Sequence, residues 1–77
     1  MDEINYNIKT KVEALYYLKM ADLKIEDYIP KREIRNQFLF ELYKERYINA
    51  DKTTLTKNGI EFLDMNFNEY GHDVKDI

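Results

Sequence analysis

Tyr47-Ile48-Asn49-Ala50-Asp51-Lys52-Thr53-Thr54-Leu55-Thr56 is the stretch on which the fold turns. Tyr47-Ile48 and Thr53-Thr54-Leu55 are β-prone, and Asn49 to Lys52 between them has the composition of a turn. The spacing predicts a small antiparallel hairpin. Thr56 then stands where a helix N-cap belongs, with Leu55 placed to staple against Ile60.

Helical spacing governs both sides of that stretch. Downstream, Ile60, Leu63, Phe67 and Tyr70 mark one face of a last helix that Gly71 can end, with 72–77 read as a frayed tail. Immediately upstream lies the strongest helix, Lys31 to Arg46, with Ile34, Phe38 and Leu42 as its core stripe, Leu39 beside it and good helix formers elsewhere. Pro30 biases Ile29 out of the α region and suits the first turn of that helix. A short helix is expected around Ile25 to Ile29. The first helix runs from Ile8 to Leu23, with Ile8, Val12, Leu15, Tyr16 and Leu23 on one face and Asn7 or Thr10 as its cap. Residues 1–6 read as the other tail. The expectation is one domain over 1–77, mainly α with a small β-hairpin (α+β).

Composition narrows the chemistry. The 77 residues contain no Cys and no Ser, and the one His is His72. No disulfide framework, thiolate nucleophile, cysteine zinc site or Ser–His pair can be assembled from them. His72 beside Asp73 lacks a second His or Cys for a metal, and Glu26-Asp27 lacks a partner for acid–base work. No enzyme, metal or cofactor is expected. The longest apolar run, Ala14 to Leu18, is far short of the roughly 20 residues that span a bilayer. Met1-Asp2-Glu3 is not a secretory start. A cytoplasmic location with no membrane partner follows. A chain this short has a folding balance near zero and needs either a well-packed core or a second copy of itself, so a homodimer enters the expectation.

Helix, short helix, helix, tiny hairpin, helix is the layout of a winged helix-turn-helix. The ladder Ile34, Phe38-Leu39, Leu42, Tyr47-Ile48 resembles a recognition helix running into the first wing strand. Leu55-Thr56-Lys57-Asn58-Gly59-Ile60-Glu61-Phe62-Leu63 is similar to the L-T-x-x-G-x-x-x-L ending found after the wing in PadR-type and MarR-type regulators. Short winged-helix proteins of Gram-positive bacteria and their prophages show it too. The likeness covers roughly residues 8–67. Two features depart from it: Arg46 stands where relatives favour Gly, and the wing is only a few residues long. Richness in Ile, Lys, Asn and Tyr fits an AT-rich genome, such as that of a Gram-positive bacterium or its phage. The resemblance implies a small DNA-binding transcriptional regulator, homodimeric, with the helix 31–46 in the major groove of a pseudo-palindromic site.

Charge is distributed accordingly. The whole chain has a net charge of −3, yet residues 31–57 hold seven basic against four acidic side chains, net +3. Positive charge thus collects where such a fold meets phosphate. Arg32, Asn36 and Gln37 are the candidates for base contact, because Arg can read guanine edges and Asn or Gln can read adenine. Lys31, Arg35, Lys52 and Lys57 are the candidates for phosphate contact. The plainer alternative is a solvated helix face. Glu33 on that face would repel phosphate, and Phe40 with Tyr43 nearby suits a protein partner better than DNA, unless Phe40 packs inward. A protein-binding module, such as a phage or mobile-element inhibitor or adaptor using this surface, is the competing reading. Phe67 and Tyr70 extend the last apolar stripe and are the candidate dimer interface.

Overall fold

Asn7 and Thr10 start the first helix together. The Asn7 side-chain oxygen accepts from the Thr10 backbone N–H at 3.0 Å, and Thr10 Oγ1 accepts from the Asn7 N–H at 2.9 Å, closing a capping box. The structure, a computed structural model, describes residues 6–67. Its elements are α1 (Ile8–Lys19), α2 (Ile25–Tyr28), α3 (Arg32–Lys44) and α4 (Lys57–Asn66), with α1 packed against α2 and α4. Helix α1 is shorter than the expected 8–23, because Met20 turns extended and the chain comes back through Ile25 and Ile29 to the core. Helix α3 likewise stops at Lys44, before the expected Arg46.

The core is built from Val12, Ala14 and Leu15 of α1, Ile25, Ile29, then Phe38, Leu39 and Leu42 of α3, with Ile48 and Leu63. Leu15, Leu42, Ile48, Leu63 and Val12 are the largest fully buried side chains. Three stripe residues take no part in it: Ile8 is 46% exposed, Ile60 is 41% exposed, and Leu23 lies half-buried beyond the end of α1. Gly59 and Leu63, one turn apart, form the buried line of α4, so Ile60 lies about 100° around the helix from it. Leu55 packs against the core.

Polar ties fix the helices to each other. Glu13, buried on α1, accepts a hydrogen bond from the Tyr28 hydroxyl at the end of α2, and Tyr17 stacks on Tyr28 with ring centroids 5.2 Å apart. Burial, and then the Glu13 hydrogen bond and charge, push the Tyr28 hydroxyl above its ordinary range. Tyr6, expected in a tail, sets its ring edge-on against Phe38 at 4.9 Å and donates to Glu45 at 2.7 Å. Lys11 pairs with the same carboxylate at 3.1 Å. Burial alone would raise Glu45. The Tyr6 and Lys11 hydrogen bonds and the Lys11 charge outweigh it and hold the carboxyl below its usual range.

The α+β expectation is corrected here. Among the described residues the one extended pairing is an isolated antiparallel bridge between Ile48 and Leu55, and the fold is all-α with no sheet and no wing. Local hydrogen bonding explains the difference. The Asp51 carboxylate accepts from the Thr53 N–H at 2.9 Å, the Thr54 N–H at 3.1 Å and the Thr54 hydroxyl, and Asn49 Nδ2 donates to that hydroxyl at 2.9 Å. Lys52 takes a left-handed φ of 58°. Backbone pairing is confined to the Asn49 N–H donating to Thr54 O at 2.9 Å and the Thr56 N–H to Tyr47 O at 3.0 Å around that bridge, while the threonines that look β-prone serve a side-chain clamp in the turn.

Candidate nucleic-acid interface

Helix α3 sorts its residues cleanly by side. Phe38, Leu39 and Leu42 face the core, while Arg32, Glu33, Asn36, Gln37, Phe40, Tyr43 and Lys44 are exposed. The three residues singled out for base contact therefore stand together on the outer face. Asn36 follows Arg32 by one turn, and Gln37 adjoins it. Glu33 is exposed beside them, the acidic residue in the first turn of α3.

The phosphate candidates divide. Lys31 is the N-cap residue of α3 and Lys57 the first residue of α4, both exposed. Lys52 lies in the 49–54 loop with its ammonium 5.2 Å from the centre of the Tyr43 ring. Arg35 has another task. Its Nη1 donates to the carbonyls of Ile29 and Pro30, each at 3.2 Å. It is half-buried, and through Nη1 it ties the turn between α2 and α3 to the first turns of α3.

Phe40 does not pack inward. It is 48% exposed, with the Tyr43 ring centroid 6.4 Å away and the Lys44 ammonium 5.7 Å from its own centre. Tyr43 is 39% exposed. Of the dimer candidates, Phe67 leans on Tyr16 of α1 at 5.2 Å, within a cavity of about 350 Å³ also lined by Lys19, Met20, Leu63 and Asp64. Tyr70 lies outside the described residues, as do Gly71 and His72. Among the described residues, no three His, Cys, Asp or Glu side chains converge to hold a metal ion, and no helix is long and apolar enough to cross a membrane.

Arg46 is the residue whose role the sequence reading missed. The Arg46 N–H donates to Tyr43 O at 2.9 Å and the Tyr47 N–H to Leu42 O at 3.0 Å, which is a Schellman ending for α3 with Arg46 at its left-handed position, φ 67°. That geometry is why glycine is favoured there. The two described non-glycine residues with positive φ, Arg46 and Lys52, are both cations, and both sit in the connection between α3 and α4. Thr56 draws the start of α4 against this corner: its hydroxyl donates to Arg46 O and accepts from the Gly59 N–H at 3.1 Å. Lys57 follows immediately, so Arg46 and Lys57 flank one junction.

A left-handed arginine costs about 1 kcal/mol or more that glycine avoids, partly offset by the entropy glycine loses on folding. Arg46→Gly is expected to stabilise the fold by about 0.5–1 kcal/mol, a rise in Tm of a few degrees. If Arg46 also meets a phosphate, the same variant lowers the salt dependence of DNA binding by about one contact. Calorimetry and a salt titration read the two signs separately. Compared with protein-family models, with curated proteins and with solved structures, the chain finds no match, and its function is argued from the chemistry of this surface.

Proposed function

We propose that this chain binds duplex DNA as a small transcriptional regulator, laying the outer face of α3 in the major groove. The observation that supports this most is the sidedness of α3. Arg32, Asn36 and Gln37 are exposed together on a helix whose other side is fixed in the core through Phe38, Leu39 and Leu42. A groove-reading helix needs that combination, because side chains can discriminate base edges only if the helix itself does not shift. Arg35 adds to it by holding the α2–α3 turn. Backbone contacts then fall to Lys31 at the start of α3 and to Arg46, Lys52 and Lys57 beyond its end, in place of a wing.

The net charge of −3 does not oppose this at contact distance, since salt screens charge beyond about 8 Å. The test is fluorescence anisotropy of a labelled, mixed-sequence AT-rich duplex, titrated at low and near-physiological salt. Affinity should fall with salt along a slope matching about three to five phosphate contacts. No binding at low salt, where even sequence-independent contact shows, overturns the reading.

A further inference from the structure

We infer that Phe40 and Tyr43 form a ledge that contacts thymine methyl groups, so that the α3 face prefers thymine-containing steps next to the bases met by Asn36. This rests on the DNA reading above and extends it to the choice of sequence. Phe40 follows Asn36 by four residues, on the same side of the helix and about 6 Å further along it. That rise corresponds to roughly two base steps of about 3.4 Å. The residue placed there is a half-exposed aromatic ring, and a thymine methyl is the apolar group that the major groove offers to one.

The rings can meet a methyl group but not a base face, because bases in a duplex stay stacked on one another and show only their edges in the groove. The Lys44 ammonium lies 5.7 Å from the Phe40 centroid and the Lys52 ammonium 5.2 Å from that of Tyr43, both within cation–π range. One face of each ring is thereby occupied, and the rings tilt at 41° to each other. What this ledge leaves at its surface is ring area suited to a methyl group, bordered by positive charge suited to the flanking phosphates.

The experiment compares the AT-rich duplex with the same duplex carrying deoxyuridine at every thymine, which removes the methyls and leaves base pairing intact. The wild-type chain should bind the thymine duplex about fourfold more tightly for each methyl covered. Phe40→Ala should narrow that ratio towards one while keeping the salt slope, with circular dichroism confirming that the variant is folded. The wild-type comparison stands even if the variant does not fold. Equal wild-type affinity for both duplexes overturns the inference and leaves DNA binding intact. Binding to neither duplex overturns the DNA reading, and the inference with it.

Discussion

Gly59→Ala should lower the thermal midpoint by more than about 10 °C, although the substitution lies inside a helix. A Cβ on Gly59 would stand 1.9 Å from the Tyr47 carbonyl oxygen, 2.9 Å from its carbon and 3.3 Å from its Cα. All three are backbone atoms, and no side-chain rotation relieves the clash. The Tyr47 carbonyl is moreover held in place, because it accepts from the Thr56 N–H at 3.0 Å while Thr56 caps α4 through Gly59. Moving α4 away would break the Thr56 bonds to Tyr47 O and Arg46 O and separate Phe62 from Tyr47, whose rings lie 4.6 Å apart.

Helix propensity argues the other way and favours alanine by about 1 kcal/mol. The steric term is larger, about 3 kcal/mol or more where packed groups cannot yield. A domain of this size has of the order of 4–12 kcal/mol of total stability, so the loss is a large part of it. Asn58→Ala, at the exposed neighbouring position, gives the propensity effect without the clash and should be neutral to slightly stabilising. Urea or thermal unfolding of the two variants decides the matter. A Gly59→Ala chain at least as stable as wild type would mean that α4 does not lie on the Tyr47 carbonyl.

The second large effect is expected on affinity. Arg32→Ala combined with Asn36→Ala should weaken binding to the tightest duplex recovered from a random pool by at least about 30-fold. Each bidentate base contact is worth about 1–3 kcal/mol of discrimination. The two residues are one turn apart and can couple, so the pair need not equal the sum of the singles. Both side chains are exposed, and the melting temperature should stay within about half a kcal/mol of wild type in stability terms. Binding to unrelated duplexes should lose only the slope of the Arg32 charge. Arg35→Ala makes the contrast: it removes the bonds to Ile29 and Pro30, so its first effect is a lower midpoint. Unchanged affinity of the double variant for the selected duplex would remove base reading from the amino-terminal half of α3.

Much of this fold was legible because the signals are local. Asn7 with Thr10, and Thr56 three residues before Gly59, are capping patterns complete within one turn. The stripes Val12–Leu15, Phe38–Leu42 and Leu63 follow from helical period alone, and α2 was visible between a turn and Pro30. The 47–56 stretch misled because β propensity and side-chain capping compete there. Thr53 and Thr54 serve both, and Asp51 gathers their hydrogen bonds into a loop.

Sequence by itself determined the order of the four helices, where they begin, the buried side of α3 and the gathering of cations between 31 and 57. Those properties depend on residues within a turn of one another. Tertiary structure alone decided that Glu13 is buried against Tyr28, that Gly59 must accept the Tyr47 carbonyl, and that Phe40 stays outside the core. It also turned Arg35 from a surface charge into a tie across the α2–α3 turn. Each depends on which segments meet in space and at what angle, and that angle is set by the whole core at once.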